Sequence, residues 1–183
     1  ALFTLLIAAA LTVLLFQIPL IRNLTNQALV SISSDSITIE NKLGTFPDLV
    51  SAIENAQAGD TITFHGNQTI PIDLITIPED KPLTLQAAEN SRPILVITGP
   101  NAHLKSLSSI QLIGLTFQSH KMGRNSPGCL SLTDKDNVIR DCIFEASSKP
   151  RNPGSAGRPA VIALGGLANV DIEGCTFHLS QVA

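Results

Sequence analysis

The chain has 183 residues, with 12 Lys and Arg against 15 Asp and Glu, and its net charge of −3 gives it no bulk attraction for a polyanion. It contains no Trp and no Tyr, the rings that most often stack on bases, so no nucleic-acid partner is expected. Its three cysteines, Cys129, Cys142 and Cys175, lack CxxC spacing, which argues against a zinc site.

The chain opens on an uncharged apolar run, Ala1 to Phe16. Gln17 interrupts it, and Ile18-Pro19-Leu20-Ile21 then leads to Arg22. This run reaches the roughly 20 residues that a membrane span needs. Residues 1–21 are therefore expected to form a hydrophobic N-terminal helix, a transmembrane helix or signal anchor. A cleaved signal peptide and a buried core helix are the alternatives, and no small-residue cleavage site closes the run. With no initiator Met and no basic leader, the chain is expected to begin inside a longer reading frame. Residues 22–44 read as a polar Ser-, Thr- and Asn-rich connector, with an early strand around Ser36 to Glu40.

The one helix expected beyond this point spans Phe46 to Ala58. Pro47 sits near its start, Asp48 lies in the first turn where the macrodipole favours it, and Gly59 follows as a C′ residue. Leu49, Ala52, Ile53 and Ala56 recur at helical spacing and form one apolar stripe. Strands follow at Thr61-Ile62-Thr63-Phe64, Ile70 to Ile77 and Leu83-Thr84-Leu85. Three further segments, Ile94 to Ile97, Cys129 to Leu132 and Ala160 to Leu164, read as a second strand family.

A repeated pattern organises the second half. Ile110-Gln111-Leu112-Ile113-Gly114-Leu115-Thr116-Phe117 returns as Asn137 to Phe144 and again as Val170 to Phe177, with the closing phenylalanines 27 and then 33 residues apart. Such self-similarity marks a solenoid, in which each layer buries its apolar face against its neighbours. Within each copy the period-2 alternation slips at Gly114, Asp141 or Gly174. A flat strand cannot keep Val170, Ile172, Cys175 and Phe177 on one face, but a bend at a residue tolerant of positive φ can. The motif is thus two short strands joined at a corner. Leu115, Cys142 and Cys175 should form one interior ladder, and Phe117, Phe144 and Phe177 another. The second copy looks one residue short, because Asn137-Val138-Ile139 faces Asn169-Val170-Asp171-Ile172. The fold class expected is all-β, a parallel β-helix with an N-terminal capping helix. A β-sandwich is the alternative, though it has no reason to repeat a whole motif.

These segments resemble a known family. Ala52 to Phe64 is similar to the N-terminal cap and first strand of right-handed parallel β-helix proteins of the pectin-lyase-like superfamily. Pro82 to Ala88 and Ile113 to Phe117 fit the same group. The resemblance runs from about Thr45 to the C-terminus, so residues 45–183 are taken as the β-helix domain, truncated at its C-terminus. It implies a right-handed solenoid and little about activity, because the superfamily holds polysaccharide lyases, hydrolases, adhesins and non-catalytic sensors. The closest flavours are alginate-lyase and chondroitinase types, and β-helix domains that follow a membrane span in bacterial receptor-like Ser/Thr kinases. No kinase motif is present in this chain.

Candidate chemistry gathers in two loops. One follows Phe117 and carries His120, Lys121 and Arg124. The other follows Phe144 and carries Lys149, Arg151 and Arg158. Both contain an Arg-Asn element followed by Pro-Gly. Insertions on one face of a solenoid often bind ligand, Arg grips carboxylates or sulfates bidentately, and Lys acts as a point charge. An acidic polysaccharide is the partner this would suit, so Lys121, Arg124, Lys149, Arg151 and Arg158 are the candidate ligand-binding residues. Solvated turns with ordinary surface cations are the competing account. No catalytic residue can be assigned, and no cofactor or metal is expected. Asp134 and Asp136 read as a turn, Asp141 as a backbone corner, and Arg140 with Glu173 as a cross-strand ion pair. A disulfide between Cys142 and Cys175 is geometrically open, against a simple packing role. The expected function is a single-pass, membrane-tethered module outside the cytoplasm that binds or senses a carbohydrate-like ligand. The alternatives are a fragment of a polysaccharide lyase or hydrolase acting on acidic polysaccharide, and a passive spacer.

Overall fold

The computed structural model describes residues 35–99, 101–122, 128–134, 136–148, 161–166 and 168–181. The expected hydrophobic helix over 1–21 lies outside them. Among the described residues no helix is long and apolar enough to cross a membrane.

Among the described residues fifteen strands and one helix follow one another with a strict rule of pairing. Strand β1 (Ser36–Ile39) and helix α1 (Leu49–Asn55) come first. Then come β2 (Thr61–His65), β3 (Thr69–Ile72), β4 (Leu74–Ile77), β5 (Leu83–Ala87), β6 (Ile94–Ile97), β7 (His103–Ser106) and β8 (Ile110–Ile113). The series closes with β9 (Thr116–Met122), β10 (Leu130–Leu132), β11 (Asn137–Arg140), β12 (Ile143–Ser148), β13 (Ile162–Leu164), β14 (Val170–Glu173) and β15 (Thr176–Gln181).

From β2 onward every third strand returns to the same sheet. The first sheet runs β1-β2-β5-β8-β11-β14, the second β3-β6-β9-β12-β15, and the third β4-β7-β10-β13. Among the described strands all pairings are parallel except β1 with β2, and an isolated antiparallel bridge joins Ile37 to Phe46. This is the connectivity of a parallel β-solenoid, with three sheets wrapped around one apolar core. The core is built of in-register ladders: Ile62, Leu85, Leu112 and Ile139 in the first sheet, and Leu95, Phe117 and Phe144 in the second. Phe117 and Phe144 stack at 5.1 Å between ring centroids and Phe144 and Phe177 at 5.0 Å, near the spacing of adjacent strands.

The bent motif is built as the phase slip predicts. Gly114, Asp141 and Gly174 have φ of 68°, 52° and 65°, the left-handed region that turns the chain from the first sheet to the second. The next residue of each corner, Leu115, Cys142 and Cys175, then points inward, the first two fully buried. The space is tight enough that a Cβ on Gly174 would collide with the Asp141 carboxylate.

Several expectations are corrected. Helix α1 spans Leu49–Asn55 only. Asp48 is its N-cap, accepting from Ser51 N–H at 2.7 Å, and Ala56 ends it in extended conformation. Gly59 is no C′ residue. Its φ of 87° serves the turn into β2, and its N–H donates to Pro82 O at 2.7 Å. The helix carbonyl ends take Lys81 Nζ, 3.0 Å from Ile53 O, and Lys42 Nζ on Asn55 O. Leu49, Ala52 and Ile53 enter the common core, and the helix contacts β1, which itself covers the free edge of β2. Ile70 to Ile77 is two strands broken at Asp73. The proposed second strand family does not hold together, because β6 belongs to the second sheet while β10 and β13 belong to the third. The strand that precedes β10 in the third sheet is β7, whose alternation is hidden by an inward Ser106. That hydroxyl donates to Ser108 O at 2.6 Å, which makes its burial tolerable.

The second copy of the motif is not short. Asn137 pairs with Val170 and fills an interior position at 1% exposure.

Candidate functional site

The three corners of each coil differ in how much chain they hold. From the third coil on, the turn from first to second sheet is fixed at two residues: Gly114 and Leu115, Asp141 and Cys142, Gly174 and Cys175. The turn from second to third sheet is not fixed. It is Asp73 alone in the first coil, residues 98–102 in the next, 123–129 in the third and 149–161 in the fourth. Most of the lengthening of the repeat from 27 to 33 residues enters at this corner.

The two longest of these segments are those with the candidate cations. Their departure points are neighbours, since β9 and β12 pair in register to Ser147 opposite His120 and, after a one-residue shift at Lys121, Ser148 stands opposite Met122. Their arrival points are neighbours too, since β10 and β13 pair from Leu130 opposite Ile162. Both ends of each segment are thus pinned to adjacent rungs. Arg124, Lys149, Arg151 and Arg158 themselves lie outside the described residues. Lys121 falls within β9, so it belongs to a strand and not to the loop expected after Phe117. Strand β12 likewise continues from Ile143 through Ser148, so the second segment also begins later than expected. Continued pairing explains both extensions, because Glu145 to Ser147 finds partners in Gln118 to His120.

The third sheet, into which both segments lead, carries a cation that the sequence pattern did not single out. Lys105 holds an outward position in β7, between Thr76 of β4 and Ser131 of β10. His103 stands two residues before it, with Nδ1 2.8 Å from Asn101 O. The signal that could have found Lys105 is the alternation His103-Leu104-Lys105-Ser106, legible only once serine is allowed inside.

On the second sheet the positions alternating with the buried phenylalanines are polar. Gln118, Glu145 and His178 occupy one row across β9, β12 and β15, followed by Ser147 opposite Ser180. Gln118 Nε2 donates to Glu145 Oε2 at 3.1 Å. This row lines an open cleft of about 540 Å³.

The cysteines take no part in chemistry of this kind. All three are free thiols. Burial pushes the Cys129 thiol up to about 12, and burial likewise holds Cys142 at about 12, so neither is a nucleophile near neutral pH. Arg140 Nε lies 3.3 Å from Glu173 Oε2, an exposed ion pair between register partners. Asp141 serves as a corner. Among the described residues no group of three or more His, Cys, Asp and Glu side chains is placed to hold a metal ion. Comparison with protein-family models, with curated proteins and with solved structures returned no match.

Proposed function

We propose that this chain is a membrane-tethered, extracytoplasmic module that binds or senses a carbohydrate-like ligand, an acidic polysaccharide, without catalysing a reaction in this segment. The pectin-lyase-like resemblance is read as kinship of fold, and the winding as right-handed, the hand of about 98% of crossovers between parallel strands of one sheet. One observation carries the reading. The two segments that hold Arg124, Lys149, Arg151 and Arg158 are tied at both ends to adjacent strands, with Lys121 at the end of β9 and Lys105 on the sheet they enter. A polyanion suits cations drawn from neighbouring coils, because each contact is charge-assisted and paired strands fix where the segments that carry them leave and return. Residues 1–21 would hold the module at the membrane.

The test is retention of the detergent-solubilised full chain on immobilised alginate, pectate and chondroitin. Retention should weaken as salt rises and fall at least tenfold when Lys149, Arg151 and Arg158 are replaced together by Gln. Equal retention of the triple variant would remove the basic segments from the proposal. Release of unsaturated products, read by ultraviolet absorbance, would overturn the non-catalytic reading.

A further inference from the structure

We infer that the row Gln118–Glu145–His178 on the second sheet is a separate binding subsite for a compact ligand bearing a primary amine, an amino sugar being the class that uses all its groups. The argument starts from Glu145. The residue is partly buried on the outer side of the second sheet, and among the described residues its carboxylate accepts from the neutral Gln118 amide alone. Carboxylates held partly out of water need a cation or several donors to offset lost hydration. Gln118 meets one oxygen, Oε2, from one side. Glu145 also lines a cleft of about 540 Å³, within the range of small-molecule sites, together with Phe177, His178, Leu179 and Ser180. No Lys or Arg lines that cleft among the described residues, so its one full charge is negative.

The remaining outward groups fix the kind of cation. His178 is the rung after Glu145, and Ser180 the rung after Ser147, at a spacing of about 4.8 Å between strands. A metal ion would want more oxygen ligands than this row holds. A long aliphatic amine would leave the imidazole and the serine hydroxyl without use. A hydroxylated ring with one ammonium group would place the ammonium on Glu145 and its hydroxyls on His178 and Ser180. Lys105 stands on the third sheet and Lys121 on the same strand as Gln118, so independence from the basic segments is tested by the Glu145→Gln protein and not assumed.

The experiment titrates the detergent-solubilised full chain by calorimetry with glucosamine, N-acetylglucosamine and glucose. Glucosamine should bind at least tenfold more tightly than the other two, a comparison that needs no variant. Glu145→Gln keeps the size and the hydrogen bond to Gln118 and should reduce glucosamine binding at least tenfold without moving the melting temperature. Equal affinity for glucosamine and glucose, or an unchanged Glu145→Gln protein, would overturn the subsite. Polysaccharide retention by the same Glu145→Gln protein should stay at the wild-type level. Loss of that retention would show one shared site and overturn the claim of a separate one, while failure of the basic-segment variants alone would leave the glucosamine result standing.

Discussion

Asn137 Oδ1 accepts the backbone N–H of Ile110 at 3.2 Å, one coil below it in the core wall. The same side chain donates through Nδ2 to Asn169 O at 3.1 Å in the coil above, and to Asp134 O at 2.6 Å within its own turn. A buried amide thus stitches three successive coils at the corner from the third sheet to the first. These bonds add to the backbone pairing that sets the register of β8, β11 and β14.

Replacing Asn137 by Ala should therefore cost roughly 2–4 kcal/mol, because it removes the side-chain acceptor of the buried Ile110 N–H and the two bonds donated by Nδ2, although Asn169 O still accepts the Asn137 backbone N–H. Asn137→Val, which matches Val170 in shape, should restore packing but not the bonds, and should remain destabilised by more than about 1 kcal/mol. Urea denaturation followed by circular dichroism measures both. A Val variant as stable as the native protein would mean that the bonds contribute nothing net.

Phe144 stands between Phe117 and Phe177 with rings tilted by 7° and 9° from parallel. Truncation to Ala should cost about 3–5 kcal/mol from lost burial and cavity formation. Phe177, 44% exposed, should lose about half as much. Chemical denaturation of the two single variants tests the ranking, and equal losses would deny the central ring its special place.

Gly174 and Asp141 form a coupled pair at neighbouring corners. Gly174→Ala should lower stability by roughly 1–3 kcal/mol, from a left-handed φ of 65° and from displacement of the Asp141 carboxylate. Adding Asp141→Gly should recover part of that loss, a coupling of at least about 0.5 kcal/mol in a double-mutant cycle. Strict additivity would show that the carboxylate simply swings aside.

The buried thiols predict an alkaline limit. In the unfolded chain they ionise near the ordinary thiol value of 9.0, but burial on folding raises both to about 12. The native state therefore keeps protons that the unfolded state gives up. Stability from these thiols is fully present below pH 9 and is lost as pH rises through 12, by up to about 4 kcal/mol per thiol. Melting temperatures of Cys129→Ala between pH 8 and pH 11 should fall less steeply than those of the native protein. In native conditions a thiol reagent should reach Cys175, which is half-buried, well before Cys129 or Cys142.

The repeat was legible in the sequence because its phase slip has only one backbone solution. Gly114, Asp141 and Gly174 marked the corners, and the phenylalanines marked the ladder. Elsewhere, side chains that break the binary code hid the structure. Ser106 and Asn137 are polar yet inward, each satisfied by backbone groups that no linear pattern announces. Ile94 to Ile97 is apolar at both inward and outward positions, so its sequence could not say which sheet it joins. The polar row of Gln118, Glu145 and His178 was invisible for another reason. Its members lie 27 and 33 residues apart and become neighbours only once the register is known.

The unequal corners carry a lesson about change. Adding one residue at the two-residue turn after β8, β11 or β14 would reverse the inward and outward faces of the strand that follows. Adding residues between β12 and β13 leaves every rung in place, and doubling that segment costs about 0.6 kcal/mol in closure entropy. The scaffold therefore separates the part of the chain that must keep its count from the part that can vary in length and composition. Residues 149–161 can thus change in length and composition while the paired strands on either side keep their register.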